Sequence, residues 1–291
     1  MEIAIYAAIV LASVTQSAST KAFNRTGGSS LVFNALKTLS AFLLCLVIGL
    51  PGFSFHLPTL LYGLAYGLAL CLSNYAGYRA LGLGPMALTS MMVSFSLIIP
   101  LCWGIFARGE PMGLLKGLGT GLLFGALLLV NAHHVRPARE DQRTSPTSSG
   151  YGKWLFFVAV TFLCNGFCSV LQKEHQTAYP SLYNREFMLF AMMLCAAVFV
   201  TVALIRVPPS ELRATARKGL GILSGVTNSA ANFLTLVLAG MENASVLFPI
   251  ISAGTILTSL FCGRVVFKER LKVNQYAALV LGIAAIILLK L

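Results

Sequence analysis

Apolar runs of about 20 residues, separated by short polar stretches, follow one another along almost the whole chain. An α-helix needs roughly that length to cross the hydrocarbon core of a bilayer, which is about 30 Å thick. Little sequence remains for a soluble domain, so the pattern predicts an all-α integral membrane protein. We expect ten transmembrane helices, over residues 2–22, 31–50, 57–81, 84–106, 112–131, 153–173, 183–205, 217–239, 244–267 and 273–290.

The composition supports this class. Of the 291 residues, 57% are hydrophobic and only 10% are charged, whereas a soluble protein carries about 25% charged residues. The net charge of +12 comes from residues at the ends of the runs, where they face lipid headgroups. We therefore expect the lipid bilayer, and no nucleic acid, as a partner. All seven cysteines lie inside apolar runs, which indicates packing residues. We expect no metal and no cofactor.

One stretch, residues 132–152, has the composition of a polar linker. It separates a first half (1–131) from a second half (153–291), and the two halves are similar in sequence. At a constant offset Gly63 aligns with Gly221, Gly67 with Gly225, and Asn74 with Asn232. An odd number of spans in each copy reverses its orientation. The sequence thus predicts two inverted-topology five-helix repeats, an architecture frequent in secondary transporters.

Proline and polar residues occur together inside the fourth and ninth predicted spans. The two stretches are GPMALTSMMVSFSLIIP, from residue 84, and NASVLFPIISAGTILTS, from residue 243. Carbonyl groups freed by a proline are tolerated at membrane depth only where protein, water or a cavity satisfies them. Either these spans line an interior cavity, with Ser94 and Ser252 among its residues, or they are tightly packed kinked helices whose hydroxyls bond back to carbonyls.

Amide side chains inside the predicted spans are the main candidates for a substrate site. An amide in hydrocarbon is costly without partners, so it must bond either to another helix or to a substrate. The candidates are Gln16, Asn74, Asn165, Asn228 and Asn232. Amides and hydroxyls suit a neutral or zwitterionic solute, whereas a strongly anionic one would favour buried arginines and lysines.

Ionisable residues near or inside the predicted spans are further candidates for a substrate site. Lys37 lies about two turns into the second span, and Arg185 and Glu186 open the seventh at the matching place. Lys37 and Glu186 either grip the two ends of a zwitterion or reach to the headgroups. Glu242 comes just before the ninth span, where an acid either binds substrate or stabilises the helix N-terminus.

Glycines at four-residue spacing predict close packing between helices. The stripe in span five fits either against span ten or in a dimer, so we expect a monomer or a homodimer. The packing glycines are Gly63 and Gly67 in span three, Gly117, Gly121 and Gly125 in span five, and Gly221 and Gly225 in span eight.

No catalytic pattern is present in the sequence. It has no Gly-rich phosphate loop, no nucleophile elbow, no HExxH pair and no paired acids at hydrolase-like spacing. No soluble segment is long enough for a nucleotide-binding module. We therefore expect neither an enzyme nor an ATP-driven pump, and any transport must draw on exchange or on a gradient of H⁺ or Na⁺.

Three segments carry a family resemblance. They are LGPMALTS…P…GIFARGE (83–110), ENASVLFP…CGRVVFKERL (242–271) and YAALVLGIAAIILLKL (276–291). They resemble the drug/metabolite transporter superfamily, specifically its EamA-type ten-span branch, and the likeness covers essentially the whole chain. The resemblance implies two repeats that rock around a central cavity in alternating access. It implies no single substrate, because the family moves amino acids, sugars, nucleotides, cations and drugs.

Together these features predict a secondary transporter of a small polar metabolite, neutral or zwitterionic and amino-acid-like, with export as the direction that the family favours. One alternative is an exporter of lipophilic cations or drugs. Small multidrug relatives place a proton-coupling acid on their first span, where the deepest polar residue of this chain, Gln16, cannot titrate. An alternative from another class is a channel or a membrane scaffold.

Lysines and arginines are concentrated in the connections on one side of the predicted topology. The positive-inside rule then places residues 132–152 in the cytoplasm and both termini outside. Characterised relatives are usually drawn with both termini in the cytoplasm. We expect a multi-pass protein of a bacterial plasma (inner) membrane, in the orientation that the charges give.

Overall fold

The computed structural model describes residues 2–24, 29–83, 89, 93–111, 113–131, 148–217, 219–265 and 273–290. Within these residues the chain is helical and has no β-strand. A 3₁₀ turn (Phe95–Leu97) precedes the short helix Ile98–Cys102, and a π turn (Trp103–Ala107) follows it. The helices are α1 (Glu2–Asn24), α2 (Ser30–Gly49), α3 (Leu57–Leu83), α4 (Ile98–Cys102), α5 (Leu114–Asn131), α6 (Ser148–Ala178), α7 (Asn184–Arg206), α8 (Pro209–Arg217), α9 (Leu220–Ala239), α10 (Ala244–Val265) and α11 (Val273–Lys290).

Seven of the described helices are long and apolar enough to cross a membrane. These candidate spans are Glu2–Thr20, Ser30–Gly49, Leu57–Gly77, Tyr151–Ala178, Asn184–Arg206, Leu220–Ala239 and Ala244–Cys262, and three shorter apolar segments are Phe95–Ala107, Leu114–Leu129 and Asn274–Lys290. For the described residues, the all-α prediction is confirmed. Most of the first half of the predicted fourth span, and residues 266–267 of the ninth, lie outside the described residues.

The helices differ clearly from the predicted ranges at α6 and after α7. α6 runs from Ser148 to Ala178, beyond the predicted range 153–173 at both ends. The polar residues at its C-terminal end have partners elsewhere in the fold, so their polarity does not end the helix. The connection after α7 forms an additional short helix, α8, which begins with Pro209 at a position that suits proline. Residues 132–147 of the predicted linker lie outside the described residues.

The helices form two compact units. The first comprises Met1–Cys71 and Leu171–Met241, and the second comprises Leu72–Val170 and Glu242–Leu291. Each unit combines parts of both predicted sequence repeats, because it takes residues from both halves of the chain. α3 and α6 contribute residues to both units. The compact units and the sequence repeats therefore divide the chain in different ways.

In the first unit, α1 packs along α9, and α2 packs along both α7 and α9. Glycines allow the close approach of these helices. A Cβ at Gly63 of α3 would lie 2.9 Å from the carbonyl oxygen of Phe187 in α7. A Cβ at Gly221 of α9 would lie 2.9 Å from a side chain of α2, and Gly67 and Gly225 face the backbones of α7 and α2 in the same way. Larger side chains at these four positions would force the helices apart.

In the second unit, α5 packs along α11, and α10 packs against α11. Between α5 and α11 the glycine of closest approach is Gly119, where a Cβ would lie 3.1 Å from the carbonyl oxygen of Ala285. Within the predicted stripe, Gly125 is in ordinary contact with α11, whereas nothing lies within 4 Å of a Cβ at Gly117 or Gly121. The close contact of α5 is therefore made by a different face from the one that the spacing marked. The core between these helices consists of Leu97, Leu123, Leu127, Ala253 and Ala285.

Glu110 caps the N-terminus of α10 in the second unit. Its Oε1 accepts the backbone N–H of Ala244 at 2.9 Å, and its Oε2 accepts that of Ser245 at 2.8 Å. Gly104 leaves room for the carboxylate, because a Cβ there would lie 2.6 Å from Oε2. An acid at this end of a helix satisfies two N–H groups that have no partner within the helix. Its negative charge also interacts favourably with the positive N-terminal end of the helix dipole.

Candidate functional site

A chain of hydrogen-bonded amides lies in the first unit, on α1 and α9. Nδ2 of Asn228 donates to Oε1 of Gln16 at 3.2 Å, and Nδ2 of Asn232 donates to the carbonyl oxygen of Asn228 at 2.9 Å. From α3, the hydroxyl of Tyr66 donates to Oδ1 of Asn232 at 2.9 Å. The structure therefore brings together three of the amides predicted from the sequence and joins them to a tyrosine that the sequence analysis did not select.

The local fold explains why these side chains meet. Asn228 and Asn232 are one turn apart on α9, so both amides lie on the same face of the helix. Because α1 packs along α9, Gln16 comes opposite Asn228. An amide on a single apolar helix would lack partners, and the packing of two helices supplies them.

The amide chain is buried at one end and accessible at the other. Tyr66 and Gln172 of α6 are almost fully buried, and Nε2 of Gln172 donates to the carbonyl oxygen of Asn232 at 3.3 Å. Gln16, Asn228 and Asn232 are partly exposed. Each amide offers two N–H donors and an oxygen with two lone pairs, more than the bonds described here use. The three partly exposed amides can therefore form hydrogen bonds with a solute that both donates and accepts them.

A second polar cluster lies in the first unit where α3 begins and α6 ends. Oγ1 of Thr59 is 2.9 Å from Nδ1 of His56 and 3.1 Å from Nε2 of His175. Nδ1 of His175 is in turn 3.2 Å from Nε2 of Gln176. Thr59, His175 and Gln176 are at most 1% exposed, so their polar atoms depend on these partners.

The direction of these hydrogen bonds follows from the orientation of Gln176. Its Oε1 accepts the backbone N–H of Ser181 at 3.3 Å, so its Nε2 faces His175 and donates to Nδ1 of that ring. Nε2–H of His175 then donates to Thr59, and the threonine hydroxyl donates to Nδ1 of His56. In this arrangement Nδ1 of each imidazole accepts a hydrogen bond, and the ring proton lies on Nε2.

Aromatic rings enclose the two histidines. His56 stacks on Tyr183 with ring centres 4.3 Å apart, and Tyr179 meets it edge-on at 4.7 Å. His175 contacts the ring of Phe187 in α7 at 4.8 Å. Within the described residues, no three His, Cys, Asp or Glu side chains are grouped so as to hold a metal ion. The cluster joins the connection between α6 and α7 to the start of α3 and therefore stabilises the fold.

We expect Thr59→Val to destabilise the protein, because the change removes the partner of a buried ring nitrogen of His175 and of a ring nitrogen of the partly buried His56. Each such group costs about 1–3 kcal/mol. The matched control is Thr38→Val: Thr38 is also buried in a helix, and among the described residues its hydroxyl donates only to carbonyls of its own helix. Thermal unfolding in detergent should show a clear loss for Thr59→Val and little change for Thr38→Val. Equal effects would mean that the hydroxyl does not bridge the two rings.

Lys37 and Glu186, predicted either to grip a zwitterion or to reach to the headgroups, are not brought together. Glu186 is buried in the first turn of α7, and its carboxylate accepts the backbone N–H of Ser54 at 3.2 Å. That turn of α7 meets the end of α2 at Gly49. Lys37 lies twelve residues earlier in α2, about 18 Å along the helix axis. The carboxylate therefore has a local structural partner, and Lys37 stands at a different depth.

Four predicted residues lie in the second unit without forming a chain like the amides of the first. Nδ2 of Asn165 donates to Oγ of Ser96 at 3.0 Å, which is a contact between α6 and the 3₁₀ turn. Asn74 on α3 and Ser252 on α10 are partly exposed, and Ser94 is exposed. Among these four residues, the structure therefore shows one side-chain hydrogen bond between different elements, the bond from Asn165 to Ser96.

Glu242, predicted either to bind substrate or to stabilise the start of α10, forms an ion pair with Lys290 of α11. Both side chains are partly exposed, at 17% and 38%. The cap of α10 comes from Glu110 instead, because the carboxylate of Glu110 reaches the first backbone N–H groups of the helix.

The residues that the sequence analysis did not select had a signal in the sequence. The polar run QKEHQ (172–176) begins in the last two residues of the predicted sixth span, 153–173, and continues beyond it. If the helix continues through this run, Gln172, His175 and Gln176 lie on one face of it. Thr59 and Tyr66 recur on one face of α3 in the same way, two turns apart. Continued helical periodicity beyond the apolar run would have identified both sets.

Comparisons with known proteins show the fold alone. No protein-family model matches the sequence, and no curated protein matches it. A solved crystal structure, described simply as that of a protein, superposes with a TM-score of 0.74 and covers 99% of this chain and 98% of its own. The two sequences are 15% identical. The chain therefore shares its fold over nearly its whole length with a solved protein, and the similarity carries no substrate or mechanism.

Proposed function

We propose that this protein is a secondary transporter of a small, neutral or zwitterionic polar metabolite. The observation that supports this best is the hydrogen-bonded chain of Gln16, Asn228, Asn232 and Tyr66 on otherwise apolar helices of membrane length. Intramembrane polar groups are costly and are usually retained for function. The three partly exposed amides bear no charge, so they suit a solute without a large net charge.

The proposal includes the architecture implied by the sequence. In it, ten spans form two inverted five-helix repeats of the drug/metabolite transporter type, EamA branch, in a bacterial inner membrane. The repeats alternate access to the amides, driven by exchange or by an H⁺ or Na⁺ gradient, with export as the favoured direction. No catalytic chemistry is part of the proposal. It is supported by the membrane-length helices and by the internal sequence repeat.

The test is thermal unfolding of the purified protein in detergent with a panel of amino acids, sugars, nucleosides, polyamines and quaternary amines. A ligand that binds the folded state raises the melting temperature by mass action, by an amount that grows with its concentration. We expect a neutral or zwitterionic polar compound to stabilise the wild type and to lose this effect in Asn232→Leu. The matched control is Asn34→Leu, because within the part of the chain that the structure describes Asn34 donates only to a carbonyl of its own helix, α2.

The outcomes separate the alternatives. Stabilisation that survives in Asn232→Leu would remove the amide chain from the substrate site. Stabilisation by quaternary amines alone would favour an exporter of lipophilic cations. If nothing in the panel binds and planar bilayers show a non-saturating conductance, the protein is a channel and the proposal is wrong.

A further inference from the structure

An apolar groove of about 200 Å³ opens on the first unit between α2, α7 and α9. Its walls are mostly hydrocarbon, contributed by one turn of each helix. They include Leu44 and Ile48 of α2, Met188 of α7, and Phe233 and Leu234 of α9. The groove is smaller than the 300–1,000 Å³ typical of metabolite or drug pockets. Its size and lining fit a short length of hydrocarbon chain.

Two of the polar side chains that line the groove are already engaged with each other. Sγ of Cys45 and Oγ of Ser229 are 2.9 Å apart and form a hydrogen bond. Both residues are buried, so they close the floor of the groove. A polar solute would gain no hydrogen bond from this floor and would lose its own hydration. The floor therefore favours an apolar occupant.

A positive charge stands at one end of this groove. Arg185 lines it and belongs to the first turn of α7, where a membrane-crossing helix reaches the level of the lipid headgroups. Within the described part of the chain, its guanidinium makes one long hydrogen bond, to the carbonyl oxygen of Pro51 at 3.4 Å. The neighbouring carboxylate of Glu186 is buried and accepts the N–H of Ser54 instead. The guanidinium thus has donors left for an anion in a forked geometry that matches phosphate.

We propose that this groove binds an anionic phospholipid, with its phosphate on Arg185 and the first carbons of one acyl chain along Leu44, Ile48, Phe233 and Leu234. Basic pockets between transmembrane helices are a known form of lipid recognition. The lipid bridges α2, α7 and α9 from outside, at the level where Gly49 holds α2 against α7. The proposal requires a membrane location but does not depend on transport.

Native mass spectrometry of the delipidated protein with added dioleoyl-phosphatidylglycerol or dioleoyl-phosphatidylcholine tests the site. We expect phosphatidylglycerol to be retained about fivefold more strongly than phosphatidylcholine, as one basic residue near a membrane surface provides. Arg185→Gln should abolish this preference, and Arg185→Lys should keep most of it. The matched control, Arg206→Gln, removes the same charge at the exposed far end of α7 and should behave as the wild type.

A second variant tests the apolar part of the site. Ala230 lines the groove, so Ala230→Trp should fill it and reduce retention of phosphatidylglycerol while Arg185 is intact. Equal retention of the two lipids by the wild type would overturn the proposal. So would unchanged retention in Arg185→Gln, or an equal loss in Arg206→Gln, which would show a general effect of charge. The melting temperature with and without phosphatidylglycerol provides a second readout, and it should rise in the wild type only through this site.

Discussion

Replacing Gly225 by leucine should abolish the stable fold of the first unit, or reduce its stability by about 3 kcal/mol or more. Gly225 lies on α9 where this helix packs against α2. A Cβ there would overlap the carbonyl oxygen of Lys37 and the hydroxyl of Ser40. The obstacle is largely helix backbone, which cannot move aside as the end of a flexible side chain can. The two helices must separate, and their shared contacts are lost with the change.

Gly121→Leu is the matched control for this experiment. Gly121 also lies in an apolar helix, but nothing is within 4 Å of a Cβ at that position. Fluorescence-detected size-exclusion chromatography after heating should show loss of the monodisperse peak for Gly225→Leu at a much lower temperature than for Gly121→Leu. Gly225→Ala should lie between the wild type and the leucine variant. Tolerance of leucine at Gly225 would mean that α2 and α9 do not pack closely at this point.

The sequence predicted the all-α class of the described residues, because its apolar runs have the length that a helix needs to cross a bilayer. It predicted less well which face of a helix meets a neighbour. The four-residue spacing in α5 marked Gly117 and Gly121, yet Gly119 makes the close contact with α11. Small residues on several faces of one helix satisfy the same spacing rule. Only the position of the second helix decides which of them is buried.

The candidate site was predictable in part for a similar reason. Gln16, Asn228 and Asn232 could be selected because an amide within an apolar run needs a partner. His175 and Gln176 could not be distinguished in this way from a polar loop, because they follow the end of the apolar run. Their burial depends on Thr59 and Ser181, which lie far away in sequence or beyond the helix end. The sequence shows which side chains are polar, but only the tertiary fold shows which hydrogen-bond partners they have.

Glu110→Ala should reduce the free energy of unfolding by about 2–3 kcal/mol, the second-largest effect that we expect. The carboxylate accepts the N–H groups of Ala244 and Ser245 at the start of α10, and it is 9% exposed. Without it, two buried donors at the positive end of a helix lose a charged acceptor, and water has little access to replace it. Gly104, which makes room for the carboxylate, would then face an empty space. The cap and the glycine therefore act as one feature.

The comparison with Glu242 makes this prediction specific to capping rather than to negative charge. Glu242 lies two residues before α10 and pairs with Lys290 at a partly exposed position, where an ion pair contributes at most about 1 kcal/mol. Thermal unfolding in detergent should show a large loss for Glu110→Ala, a smaller one for Glu110→Gln, which keeps one acceptor oxygen, and little change for Glu242→Gln. Similar losses for Glu110→Ala and Glu242→Gln would mean that charge near the helix end stabilises α10, and that the two hydrogen bonds contribute little.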